Sequence, residues 1–203
     1  MPRVAEDRPP AEPSSPLQKE RYRRILRAAA EHASVKGLER VQMLDVARDA
    51  EVAIATLYRY FPSKAHLFTA MMREQVERLV VSTAPRGPGE EPEDGIARLL
   101  VGIGAQMLGN PLLAHAMLQS NNAIVAQAAD AGVTEVFVDL MLTAGGLAEP
   151  TDQEVRLLRL IEQAWYGILM TALNEHIGPE ELAADTELMC RLLLRGRDEP
   201  MPS

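Results

Sequence analysis

The chain has 203 residues, 47% of them hydrophobic and only 4% aromatic, enough to bury one sizeable core or a small domain beside a larger one. So few aromatics, with Ala, Leu and Met abundant, favour helix over sheet. The formal charge of −8 argues at first against a nucleic-acid partner, but residues 17–72 hold ten Lys and Arg against six Asp and Glu, a basic head on an acidic body, as expected of a DNA-binding domain joined to a separate regulatory one.

Residues 1–15 are rich in proline and charge without an apolar centre, and predict a disordered tail rather than a signal peptide. Ser15-Pro16-Leu17-Gln18 combines a cap, a proline at the first helical position and a glutamine three residues after the cap, opening a helix that closes at Gly37. Its apolar face is Tyr22, Ile25, Leu26, Ala29 and Ala33, and its other face carries Lys19, Arg21, Arg23, Arg24 and Arg27. A solvated face accounts for those cations as well as phosphate contact does. After a connector at residues 38–41, the stretch VARDAEVAIATLYRYFPSK, Val46 to Lys64, repeats apolar residues at helical spacing on both sides of Glu51 to Ala53. That pattern packs two short helices across a tight turn. The second carries Thr56, Tyr58, Arg59 and Tyr60, whose hydroxyls and guanidinium suit phosphate oxygens and base edges better than a core. Ser63 can cap a fourth helix to about Thr83, whose first residue is Lys64. A cation there gains nothing from the helix dipole, so a phosphate partner explains it better.

Residues 84–95, APRGPGEEPEDG, predict a linker, because Pro, Gly and acids in such density do not sustain a helix. Helical patterns resume over 96–108, stop at Asn110-Pro111, run over 112–119, and return over 121–143 with a break near Gly132. Thr151 with Glu154 forms a second capping-box signal for a helix to about His176, and Gly178-Pro179 opens the last, ending near Arg195. No segment alternates with a period of two, so the chain is read as all-α. The organisation expected is a three-helix helix-turn-helix domain over 16–62, a helical ligand-binding and dimerisation domain over 63–196, and a disordered tail over 197–203.

TLYRYFPSK, Thr56 to Lys64, resembles the most recognisable stretch of TetR-family transcriptional repressors. The resemblance implies a recognition helix over about Ile54 to Tyr60, with Tyr58, Tyr60 and Lys64 on the DNA backbone. Ile54, Ala55 and Thr56 would reach the major groove, with Gln42 and Leu44 nearby, and Arg59 completes the expected DNA set. Two residues depart from the family: Glu51 stands where glycine is common, which strains a left-handed turn, and Ala53 replaces a capping residue.

In the larger domain, Leu157, Leu158, Leu160, Ile161, Trp165 and Leu169 spread around one helix and Leu182, Leu188, Met189, Leu192 and Leu193 line the next. Helices apolar nearly all round are buried on two sides, which predicts a homodimer through the last two long helices; the family resemblance implies the same. Met107, Met117, Asn121, Phe137, Met141, Trp165, Tyr166 and Met170 are the candidate lining of an effector cavity, although methionines at helical spacing are more often core filler. Gln119, Asn122 and Gln163 are grouped with them as amides that would need partners if buried. Asn110 to Met117, NPLLAHAM, is similar to actinobacterial repressors of cholesterol and steroid catabolism, which implies a lipophilic effector such as a steroid-derived acyl-CoA.

Catalytic constellations are missing. His32, His66, His115 and His176 share no metal-ligand spacing, and Gly102-x-Gly104 lacks the rest of a dinucleotide fingerprint. The lone Cys190 excludes an intrachain disulfide and fits a reducing cytosol, and no apolar run approaches the ~20 residues that span a bilayer. The sequence therefore reads as a cytoplasmic regulator needing no cofactor or metal, with operator DNA, a small lipophilic effector and a second copy of itself as partners. A DNA-binding architectural protein without an effector is the alternative.

Overall fold

Side-chain caps explain where four of the α-helices among the described residues begin. In the computed structural model, which describes residues 10–128 and 131–195, Ser15 Oγ accepts from the Gln18 amide and opens α1, Pro16–Lys36. Gln18 Oε1 reaches back to the amide of Ser14 rather than of Ser15, at 2.9 Å. Gly37 ends α1 with φ +71°, a value open to glycine without strain. A 3-10 turn, Leu38–Arg40, leads to α2, Met43–Asp49, then α3, Ile54–Tyr60, and α4, Lys64–Ser82, whose cap is Ser63 accepting from the His66 amide. Then follow α5, Pro92–Leu108; α6, Pro111–Val125; α7, Thr134–Gly145; α8, Asp152–Glu175; and α9, Pro179–Leu194. Both bonds of the Thr151–Glu154 capping box are present at the start of α8.

All regular structure among the described residues is helical. Three expectations need correcting. The linker is shorter than residues 84–95, because Pro92 takes the first position of α5 with Glu93 and Asp94 in its first turn, where proline and acids suit a helix N-terminus. No break follows Gln119: α6 continues to Val125, with Ser120 turned into the core. Of the expected tails, 1–9 and 197–203 lie outside the described residues, but residues 10–15 are placed, the Ala11 amide donating to the Arg59 carbonyl at 3.0 Å.

The chain forms two compact units. The first comprises the described residues up to Glu74 together with Asn110–Gly132, the second Gln75–Gly109 together with Val133 onward. Helix α6, which the sequence reading places in the regulatory domain, packs against α1 in the first unit. Asn110 Nδ2 donates to Ser34 Oγ of α1 at 2.7 Å while its Oδ1 caps α6. At the other end, the Arg73 guanidinium of α4 donates to the carbonyls of Ala131 and Gly132.

In the second unit, α5 packs on α9 and α7, and α8 on α9 and α7. The seams of α5 are made at glycine: a Cβ at Gly104 would lie 2.6 Å from Leu182 Cδ2, and one at Gly95 would strike the Ala144 carbonyl. Cys190 is buried in this core, its thiol pushed up to about 12 by burial and then by Glu187 and Glu93, which leaves it protonated and unreactive near neutrality.

Candidate nucleic-acid interface

Helices α2 and α3 are short, and packing holds them more than propensity does. Met43, Val46 and Ala47 from the first, Ala50 at its end, and Leu57 and Tyr60 from the second are buried, as are Ile25, Leu26 and Ala29 of α1. The turn between them closes through Glu51 N–H to the Arg48 carbonyl and Val52 N–H to the Ala47 carbonyl. Glu51 has φ +54°, as the sequence led one to expect, and for a side-chain-bearing residue that costs roughly 1–2 kcal/mol. Ala53 precedes α3 without a side-chain cap. Helix α3 is thus held by its inward face and by the turn.

On the outward face, Gln42, Leu44, Ala55, Tyr58 and Arg59 are exposed, and Ile54, Thr56 and Lys64 are half-buried. The structure therefore gathers Ile54, Ala55, Thr56, Tyr58 and Arg59 on the accessible side of one helix, with Gln42 and Leu44 at the start of α2. Tyr60 is a correction. Positions 57, 60 and 61 follow the inward spacing of α3, so the Tyr60 ring is only 2% exposed, edge-on to Tyr22 with centroids 5.8 Å apart. Its hydroxyl accepts from Arg59 Nη2 at 3.2 Å, and the Arg59 guanidinium carbon stands 5.0 Å from the ring centre. Tyr60 is a core residue that orients Arg59.

Lys64 also has an internal role that the sequence does not reveal. Its Nζ donates to the carbonyls of Leu38 and Glu39 at 3.2 and 3.4 Å, tying the start of α4 to the 3-10 turn and leaving one of three ammonium donors for another partner.

Ion pairs trim the charge of this unit. Arg24 Nη1 of α1 meets Glu51 Oε2 at 3.0 Å. Arg48 pairs with Asp45 and Asp49 at 3.1 Å each, and His32 Nε2 lies 2.7 Å from Asp49 Oδ2. The hydrogen bonds from His32 and then Arg48 hold the Asp49 carboxyl below the usual range. The Arg24–Glu51 pair joins residues 27 positions apart and was not legible from sequence, although Arg24 itself stands out in the basic run. An exposed pair contributes only ~0–1 kcal/mol, so it does not offset the strain at Glu51.

The expected effector residues fall in both units. Met117 and Asn121 belong to the first, Met117 buried and Asn121 half-buried. In the second, Met107, Phe137, Met141 and Trp165 are buried and Tyr166 and Met170 half-buried. Phe137 and Trp165 stack with centroids 5.6 Å apart. The Trp165 indole N–H is buried without a hydrogen-bond partner among the described residues, an exception to the usual pairing of buried polar groups. The amides of Gln119, Asn122 and Gln163 are exposed in the single chain, so the argument from buried amides does not apply to them. A groove of about 380 Å³ along α5 and α9 has charged walls, with Glu93, Asp94, Arg98, Glu187 and Arg191, and contains none of the expected effector residues.

Residues 25–71 match the family described as "Bacterial regulatory proteins, tetR family", and residues 89–193 match "Tetracyclin repressor-like, C-terminal domain". The chain belongs to the TetR family. As the family's helix-turn-helix domain implies, it is a DNA-binding regulator of transcription. It is 38% identical to the HTH-type transcriptional repressor KstR of Rhodococcus jostii (strain RHA1), over 89% of this chain and 86% of that protein. The identity to KstR of Mycobacterium tuberculosis (strain ATCC 25618 / H37Rv) is 33%, over 93% of this chain and 87% of that one. A crystal structure of a TetR transcriptional regulator from Rhodococcus sp. RHA1 superposes with a TM-score of 0.82 at 41% identity, covering 92% of this chain and all of that one. Thermus thermophilus FadR, crystallised with lauroyl-CoA, shares the fold at a TM-score of 0.59 and 23% identity, over 90% of this chain and 99% of that one. The second family match runs through α6, so the family's domain division and the compact units of this chain differ at that helix.

Proposed function

We propose that the protein is a ligand-responsive repressor acting on the chromosome in the cytoplasm, which binds operator DNA as a homodimer and releases it when a lipophilic acyl-CoA, of steroid origin, occupies the C-terminal domain. The similarity to KstR repressors along 86% of the Rhodococcus protein's length carries this reading, because it spans the regulatory half as well as the DNA-binding half.

On DNA, Tyr58, Arg59 and one remaining donor of Lys64 serve the backbone, while Ile54, Ala55 and Thr56 enter the major groove with Gln42 and Leu44 beside them. Apolar Ile54 and Ala55 suit thymine methyls. The effector lies in the apolar interior of the second unit, around Phe137, Met141 and Trp165, with Met107, Tyr166 and Met170 on the same unit. The buried, unpartnered Trp165 N–H supports this reading, since a carbonyl or hydroxyl oxygen of the ligand would satisfy it. Leu160 of α8 and Leu188 and Leu192 of α9 are large apolar side chains left exposed in the single chain. Such residues on adjacent helices suit a second copy of the same surface.

Thermal melting of the full-length protein tests the effector class with a steroid acyl-CoA thioester, lauroyl-CoA and free CoA. A ligand that binds only the native state stabilises it by about 2.7 kcal/mol at a hundred times its dissociation constant. The midpoint is expected to rise with the steroid thioester and not with free CoA. Unchanged midpoints with both thioesters, together with a gel shift on the chain's own upstream DNA, would leave a DNA-binding architectural protein as the better reading.

A further inference from the structure

Arg24 stands in the middle of α1, and Glu51 at the left-handed corner that leads into the recognition helix. We propose that Glu51 is an internal stand-in for a DNA phosphate: its carboxylate occupies the Arg24 guanidinium in the free protein, and DNA binding exchanges it for a backbone phosphate. Guanidinium recognises carboxylate and phosphate through the same planar set of N–H donors, so the two acceptors compete for one site.

Three observations favour exchange over a purely structural tie. The pair is open to a partner, with side chains 32% and 81% exposed at Arg24 and Glu51. The Arg24 Nε is buried without a partner among the described residues, so the inner part of the side chain is enclosed while Nη1 extends to Glu51; the terminal nitrogens are already presented for an anion. Glu51 also adopts φ +54°, which glycine takes without strain. The backbone at this corner has no use for a glutamate, so its carboxylate is what the position uses.

The exchange has a definite electrostatic signature. A cation that neutralises a phosphate releases a counterion, and the logarithm of affinity falls against the logarithm of salt with a slope of about −0.9 per such cation. Arg24 is already neutralised by Glu51, and the freed carboxylate would regain a counterion when phosphate displaces it. Its net contribution to the slope is therefore close to zero. Glu51 thus lowers affinity for DNA of any sequence, without touching the base-reading face of α3.

A duplex of scrambled sequence is a sufficient probe, and fluorescence anisotropy of the full-length protein over a salt series is the measurement. Glu51→Gln keeps the size and the left-handed corner but removes the charge. It is expected to bind several-fold tighter at low salt, with a slope steeper by roughly 0.9 per bound subunit. Arg24→Ala combined with Glu51→Gln should return the slope to the wild-type value. Arg24→Ala alone should leave it there too, which keeps the test open if Glu51→Gln does not fold. A wild-type slope in Glu51→Gln overturns the proposal. So does an equally steep slope in the double variant, because the gain would then be relief of carboxylate repulsion and not release of Arg24. A fall of about 0.9 in Arg24→Ala alone also overturns it.

Discussion

Two tyrosines two positions apart on α3 have opposite roles because a helix turns about 100° per residue. Tyr58 is 40% exposed and Tyr60 2%, so we propose the first as the one that presents its hydroxyl to a phosphate. Tyr58→Phe is expected to weaken DNA binding with little change in melting temperature. Tyr60→Phe removes the acceptor for Arg59 Nη2 and is expected to cost about 0.5–1.5 kcal/mol of stability, while DNA affinity changes less than in Tyr58→Phe. Anisotropy and thermal melting of the two variants, side by side, check the assignment. A larger loss of affinity in Tyr60→Phe would return that residue to the DNA contact set. Lys64 sits between the two cases, since it holds two backbone carbonyls and retains one donor.

At the scale of elements, what could be read from the sequence was what local spacing decides. The two motif helices appear where the apolar repeat around Glu51 puts them, and the cap-and-proline signal at Ser15 and the capping box at Thr151 open α1 and α8. Two boundaries were misread for one reason: residues that break an isolated helix were weighed without the partner that makes them useful. Pro92 and Gly95 look like linker residues, yet proline suits a first turn and Gly95 lets α5 approach the Ala144 carbonyl. Ser120, Asn121 and Asn122 look like a polar interruption, yet Ser120 is buried within an unbroken α6. The Arg24–Glu51, Asn110–Ser34 and Arg73–Gly132 ties were not legible, because each depends on tertiary placement across many residues. Glycine in α5 gives an element-scale prediction. Gly95→Ala must displace backbone and is expected to destabilise by about 1–3 kcal/mol. Gly102 faces open space, so Gly102→Ala is expected to stabilise by about 0.5–1 kcal/mol. Denaturant unfolding of the two variants tests the contrast, and a similar loss in both would contradict this account of the α5 seams.

For the whole molecule, the question is how an effector changes affinity for DNA. Helix α4 contributes Lys64–Glu74 to the first unit and Gln75–Ser82 to the second, so one continuous helix takes part in both packings. An effector can release DNA only to the extent that it binds the DNA-incompetent state better than the competent one. A coupling of about 1–3 kcal/mol corresponds to a change of roughly 5–150-fold in affinity. Linkage makes that factor reciprocal, so saturating operator DNA must weaken effector binding by the same amount. Calorimetric titration of the thioester that raises the melting point, with and without operator, measures the factor from one side. Anisotropy of labelled operator, with and without that thioester, measures it from the other. We expect the two factors to agree within error and to fall in that range. Equal effector affinities with and without operator would show that the ligand stabilises the protein without regulating it.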